Sequence, residues 1–262
     1  MPQLTMKKEI NVIRDGERSA VGDEVVVEAP LTIYLNGQEL VTLLCTPDKK
    51  ESLALGFLRS GGLLSSLDEV AGVRMSEDGN AVEVTLKNKS NLVEQLYGKY
   101  TITSGGGKGV VFFSALDVVP GPPVPEGGIS ITAEEICSLM SSLQESAAIF
   151  KATGGVHSAA LADTRKIIIF CEDIGRHNAV DKIIGQSLLQ GIPLHDKVLV
   201  CSGRLGSEIL LKAAKLQLPL LISRAAPTTL SIELAESLNI TLVGFVRDRR
   251  MNIYTHPHRV KK

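Results

Sequence analysis

The chain has 262 residues, 44% of them apolar and 22% charged. That length fits one or two domains and buries a sizeable core without disulfides or a structural metal. Lysine plus arginine is 28 and aspartate plus glutamate 29, so a net charge of -1 offers no overall field to nucleic acid or anionic lipid, and neither partner is expected. No apolar run is long enough for a membrane span, and the first residues lack the apolar centre of a secretory signal. Tryptophan is absent, which leaves few platforms for stacking single-stranded nucleic acid. The four cysteines, Cys45, Cys137, Cys171 and Cys201, are scattered among apolar neighbours without a CxxC, as expected of reduced thiols in a cytoplasmic protein.

The first half reads as strands with a short helix. Val25–Val27 and Leu31–Leu35 lead to Asn36-Gly37, and Gln38–Leu44 follows. Asn-Gly between β-prone runs signals a two-residue hairpin, because both turn positions need positive φ. Asp48 and Glu51 resemble a capping box for a helix closed at Gly61. A second hairpin runs from Val73 to Leu86 through Asp78-Gly79. A glycine-rich loop spans residues 103–109, and the proline-rich run 120–128 divides an N-terminal α+β domain (1–122) from a C-terminal domain (129–262).

The second half is more regular. Thr132 and Glu135 form a capping box for a helix to about Lys151. Val156–Ala162 and Lys166–Cys171 read as a hairpin. Strands at Lys197–Cys201, Leu220–Ser223 and Thr241–Phe245 then alternate with helices at Asn178–Leu189, Ser207–Leu216 and Thr229–Leu238. Such alternation predicts an α/β fold with a largely parallel sheet, made mixed by the hairpin and covered by helices.

Ligands of open α/β sheets bind beyond the carboxyl ends of the strands. Four polar segments follow the predicted strands, at 172–178, 202–208, 223–228 and 246–250, and six arginines fall in them. Arginine forks and the free N–H groups of helix N-termini suit phosphate oxygens. These segments predict a site for an anionic, phosphate-bearing ligand. His157 and His177 could meet at the same strand ends; His256 and His258 are too few for a metal site, and none is expected. Asp173 and Asp181 read as helix caps. The glycine-rich loop fits neither the Walker A pattern nor G-x-G-x-x-G.

The run Glu172-Asp173-Ile174-Gly175-Arg176-His177-Asn178-Ala179-Val180-Asp181-Lys182 resembles the signature of the formate dehydrogenase accessory sulfurtransferase family. Thr153–His157, Ser202-Gly203-Arg204 with Ser207-Glu208-Ile209, Ala226-Pro227-Thr228, Gly244-Phe245 with Arg247, and Asn252–Thr255 are similar to its other blocks, in order along the chain. The resemblance implies a cytoplasmic protein that matures formate dehydrogenase. Its members take sulfur from a cysteine desulfurase and deliver it to the molybdenum cofactor in its bis-guanine-dinucleotide form, and they bind GDP as a mimic. It also implies a C-terminal domain like cytidine deaminase, with helices on both faces of a mixed sheet, and a homodimer. Carried onto this chain, it assigns cofactor contact to Phe245, Val246, Arg247, Asp248, Arg249 and Arg250. Arg176, His177, Arg204, Ser207 and His157 join them as expected neighbours by position.

One position departs from the family. By register, Gly106 stands where the persulfide-bearing cysteine is expected, and glycine has no side chain to hold sulfur. Three readings stay open: a changed sequence, a relay through another cysteine such as Cys171 or Cys201, or a cofactor-binding chaperone that transfers no sulfur. An unrelated nucleotide-dependent enzyme on the same fold is the remaining alternative.

Overall fold

The computed structural model describes residues 3–88, 101–102, 110–111 and 122–262, the middle two pairs by backbone alone. Gly106 and the rest of its loop lie outside the described residues.

β1 (Thr5–Arg14) and β2 (Glu17–Val26) form an antiparallel ribbon turned at Asp15-Gly16, with φ of 54° and 86°. The sequence reading anticipates only Val25–Val27 here. The strands escape notice because the ribbon is mostly exposed and charged, without a steady apolar alternation. β3 (Ala29–Leu35) and β4 (Gln38–Cys45) turn at Asn36-Gly37 with φ of 53° and 83°, the paired positive values the hairpin signal requires. With β5 (Val70–Met75) and β6 (Ala81–Leu86) they make a sheet of order β4-β3-β6-β5. α1 (Lys50–Gly61) lays Leu53, Leu55 and Leu58 among Leu31, Ile33, Val82 and Val84. The expected Asp48–Glu51 capping box is absent. Lys49 is the left-handed N-cap residue, without a side-chain cap, and the Asp48 carboxylate binds Lys182 instead. The helix ends one residue later than expected, at Gly62 with φ of 81°. β7 (Thr101–Ile102) and β8 (Val110–Val111) pair briefly, and β9 (Ile131–Thr132) precedes the second body.

That body holds α2 (Ala133–Ser146), α3 (Ala148–Thr153), β10 (His157–Ala162), β11 (Ile167–Asp173), α4 (Arg176–Leu189), β12 (Val198–Cys201), α5 (Ser207–Lys215), β13 (Leu220–Ser223), α6 (Thr229–Ser237), β14 (Thr241–Arg247) and β15 (Arg250–Thr255). A final β16 (Val260–Lys261) pairs with β9. The six-stranded sheet runs β11-β10-β12-β13-β14-β15. Only β12–β13 and β13–β14 are parallel, so the sheet is mixed rather than largely parallel. Part of the reason is β15: the polar stretch read as a loop after Phe245 is a hairpin that returns antiparallel. Alternate residues of each strand face opposite cores. Ala159, Leu199 and Leu221 pack with α4, α5 and α6; Ala160, Val200 and Ile222 pack with α2. Helices therefore cover both faces.

The Thr132–Glu135 box is present in reciprocal form. The helix it starts does not continue to Lys151; it breaks at Ala147 and restarts as α3. Glu172 causes the restart to be favourable, because its carboxylate accepts the N–H groups of Ile149 and Phe150 at 2.9 Å each.

The two bodies meet along α1 and α4, which touch backbone to backbone. A Cβ on Gly56 would lie 1.8 Å from the Asp181 carbonyl oxygen, and one on Gly185 would lie 1.8 Å from that of Ser52. Two polar bridges flank this contact. Asp181 is no cap: it is buried, held by Lys212 at 2.6 Å and by the Ser60 hydroxyl at 2.8 Å. Lys182, fully buried, binds Asp173 at 2.8 Å, Asp48 at 2.7 Å and the Thr46 hydroxyl at 2.6 Å.

Candidate functional site

The four polar segments come together at one rim of the six-stranded sheet. Antiparallel pairing sets His157 at the start of β10 opposite Asp173 at the end of β11. Ser202 donates its N–H to the Ser158 carbonyl, and its hydroxyl accepts the Ser158 N–H. The Ser223 hydroxyl donates to the Gly203 carbonyl at 2.6 Å. Leu205 N–H reaches Ala226, and Phe245 N–H reaches Ala225. The loops after β12, β13 and β14 are thus sewn to one another by backbone and hydroxyl bonds rather than left to solvent.

Within this rim the predicted side chains divide into two groups. The inner group gathers where α4 and α5 begin. Gly203 lies between two of its members: a Cβ there would come within 3.3 Å of both His157 Nδ1 and the Arg176 Cβ. His177 Nε2 pairs with Glu208 at 2.9 Å, one residue beyond Ser207 at the start of α5. Burial, then the neighbouring charges of Arg176, His177 and Arg204, push the His157 pKa below the ordinary histidine value. Burial and the Arg204 charge likewise lower that of Arg176, against the pull of Glu208. Burial raises the Glu208 carboxyl, but the hydrogen bond and charge of His177, with Arg176 and Lys212, outweigh it and hold the group below its usual value. The chain has therefore placed two arginines and two histidines close together against one carboxylate. Two helix N-termini open toward them, an arrangement that favours an incoming anion.

The outer group is the β14–β15 hairpin. Arg247, Asp248, Arg249 and Arg250 are exposed, whereas Val246 is buried against the α2 core. Phe245 and Asp248 take positive φ, 53° and 51°, and the ladder slips between Gly244 and Arg247. Positive φ is unfavourable for a side-chain-bearing residue, so the loops around the hairpin hold it in a strained shape. Gly244 allows the close packing: a Cβ there would meet the Ala225 carbonyl oxygen at 3.0 Å and Tyr254 at 3.1 Å. Between hairpin and helix runs a cleft of 770 Å³, lined by Val246, Asp248 and Arg249 on one side and by Glu134, Cys137 and Ser141 of α2 on the other. The sheet separates this cleft from the inner group, so the predicted residues form two neighbouring groups rather than one.

Cys171 and Cys201, the thiols considered for a sulfur relay, are buried, as is Cys45. Burial pushes the Cys45 thiol up to about 11 and the Cys201 thiol up to about 12. It raises Cys171 too, although Lys49 donates to that sulfur at 3.3 Å. Cys137 is half-buried and lines the cleft. Its pKa is also raised, by burial and Glu134, with Arg249 opposing. In the sequence Cys137 is only one of four scattered cysteines, and Glu208 appears only within a family block with no role of its own. The signal for Cys137 is its place on the small polar stripe of α2 with Ala133, Glu134 and Ser141, away from the buried Ile136 and Leu139. Asp173 does more than a cap: besides Gly175 N–H and Asn178 Nδ2, both at 2.9 Å, it takes the backbone N–H of Thr46 at 3.1 Å.

A profile of the FdhD/NarQ family matches residues 26–261. The chain belongs to the FdhD/NarQ family. It is 46% identical over 259 residues to the sulfur carrier protein FdhD of Bacillus pumilus, covering 99% of this chain and 98% of that one. Its likeness to the FdhD of Bacillus subtilis is 43%, over 98% of this chain and all of the relative. A crystal structure of a formate dehydrogenase accessory protein from Desulfotalea psychrophila superposes with a TM-score of 0.80 at 26% identity, covering 99% of this chain and 100% of that one. FdhD/NarQ membership and a mixed sheet with helices on both faces therefore stand for this chain. Among the described residues no helix is long and apolar enough to cross a membrane.

Proposed function

We propose that this FdhD/NarQ protein binds the bis-guanine-dinucleotide form of the molybdenum cofactor as its client, at the rim where β12, β13 and β14 end. It carries sulfur there, from a cysteine desulfurase to that client, before the client enters formate dehydrogenase. The observation that carries this reading is the double cationic rim. A client with two pyrophosphates needs several cations or N–H donors, and the inner group and the hairpin supply them on either side of the sheet. His157, Arg176, His177, Arg204 and Ser207 hold phosphate in this reading, and residues 245–250 flank the nucleotide in the cleft. GDP serves as the small mimic.

Sulfur carriage as a persulfide needs a thiol. The thiolate attacks the outer sulfur of the donor persulfide, that sulfur moves across, and the donor leaves as a thiolate with no net oxidation. Residues 103–109 contain no cysteine, and of the four thiols only Cys137 is not buried. The second reading, a chaperone that holds the client without moving sulfur, is favoured by the same fact. Titration calorimetry with GDP, and ADP as the control, tests the site: guanine-selective binding is expected, and equal binding would reduce the rim to a generic phosphate site. Intact mass after incubation with a desulfurase and cysteine tests the carriage. A gain of one sulfur that Cys137→Ser abolishes supports transfer on the cleft; no gain leaves the chaperone.

A further inference from the structure

The signature run ends in Asp181-Lys182, and each of these two residues bolts α4 to the N-terminal body through a different partner set. Asp181 meets Ser60 of α1 and Lys212 of α5. These contacts lie toward the far end of α1 and link helices only. Lys182 meets Thr46 and Asp48, from the link between β4 and α1, together with Asp173 at the end of β11.

Asp173 is shared between two tasks. One oxygen faces the N-terminal body, taking the N–H and hydroxyl of Thr46 at 3.1 Å and 3.0 Å and the Lys182 ammonium. Its other oxygen takes Gly175 N–H and Asn178 Nδ2, which fixes the turn into α4. Asn178 closes the loop by donating also to the Leu44 carbonyl of β4 at 2.8 Å. Arg176 and His177 are the two residues between these anchors. Asp173, Thr46 and Lys182 are all fully buried, so no water shares the bonds and a lost partner is left uncompensated.

We propose that Thr46 and Asp48 are positioning residues for the inner cation group: through Lys182 and Asp173 the N-terminal body sets the aim of Arg176 and His177. The bolt at Asp181 fastens the same two bodies but makes no hydrogen bond to the turn that carries Arg176 and His177; its one link to the inner group is the charge of Lys212 near Glu208. The inference deepens the reading of the rim as an anion site and rests on it for its functional meaning. Its structural content, coupling of Thr46 to His177, stands separately.

A matched pair of hydroxyl deletions tests it in the full chain. Thr46→Val and Ser60→Ala each remove one buried hydroxyl, contributed by the N-terminal body, from a buried carboxylate, with no change of charge. The readouts are the His177 ring signals in heteronuclear NMR, assigned with His177→Gln, and the affinity for GDP by calorimetry. Both variants are expected to lower the melting temperature. Thr46→Val alone is expected to shift the His177 ring signals and to weaken GDP binding roughly tenfold. Asp48→Asn takes its place if Thr46→Val does not fold. Unmoved His177 signals in the Thr46 variant, or equal movement in the Ser60 variant, would overturn the coupling. If the unmodified protein binds no GDP while Thr46→Val still moves His177, the anion reading falls and the coupling remains.

Discussion

The rim carries two cation groups of similar composition and opposite construction. Arg176 and Arg204 work beside two histidines in a setting where Gly203 packs directly against His157 and Arg176, and a buried network underpins the turn. Arg247, Arg249 and Arg250 stand exposed on a hairpin tip, and the strained positions Phe245 and Asp248 fix its backbone rather than its side chains. His157, Arg176 and His177 are half-buried and held before any ligand arrives, so they lose little side-chain freedom on binding, whereas Arg204 is exposed. The outer group keeps that freedom and pays for order when it binds. The number of arginines therefore does not measure how well a group is prepared to bind.

The largest effect expected on this contrast comes from removing the support of the inner group. Lys182→Met leaves Asp173 and Asp48 without their cation in a buried setting, at a cost of about 3–5 kcal/mol. Urea unfolding should show it, and binding at the inner group should fall with it. A loss under 1 kcal/mol would mean that water replaces the lysine and that the inner group is not preorganised in this way.

Next comes the contrast itself. Arg176→Ala should weaken GDP binding by about 1.5–3 kcal/mol, the worth of a charged hydrogen bond from a half-buried group. Arg249→Ala should weaken it less, and raising the salt concentration should erase most of that smaller loss. Calorimetry at two ionic strengths separates them; equal losses with equal salt dependence would remove the distinction between the groups.

A smaller change tests the wall of the cleft. Thr132→Ala removes one half of the reciprocal cap of α2 and should cost about 1 kcal/mol in chemical denaturation. It should leave the His157 and His177 ring signals unchanged, because α2 lies on the other face of the sheet.

The smallest effect is in pH. His157 is lowered in the folded state, so between its folded pKa and the unfolded value near 6.5 the unfolded chain binds the extra proton. Stability should be full above about pH 6.5 and decline as the pH falls toward the folded pKa. His157→Gln should flatten that decline in thermal melts taken from pH 7.5 to pH 5. An unchanged slope would mean that another group dominates this window.

Much of this organisation is written locally. Asn36-Gly37 specifies its hairpin because few other pairs tolerate two positive φ values in succession. Thr132 and Glu135 specify a helix start because each satisfies the other's neighbouring N–H. The order of polar segments after strands marked the rim, and residues 172–182 marked the family. The β1–β2 ribbon, the break at Ala147 and the return strand β15 were not legible. The apolar face of the ribbon (Met6, Ile10, Val12, Val21 and Val25) is interrupted by Lys8 and Asp23 and stays largely exposed, the break depends on Glu172 reaching across from β11, and β15 is a mixed polar strand whose partner is set by sheet pairing.

By itself, then, the sequence determined most of the helices and strands, which loops carry charge and which family the chain resembles. Those properties depend on neighbours a few residues apart, or on spacing along one element. The tertiary structure alone decided that the cations split into two groups, that Cys137 rather than Cys171 or Cys201 reaches a cleft, and that Asp48 and Asp181 are bolts instead of caps. A carboxylate that caps a helix start and one buried beside a distant lysine look the same in one dimension. What separates the two cases is the loss of water around it, and that happens only when α1 and α4 close together through Gly56 and Gly185.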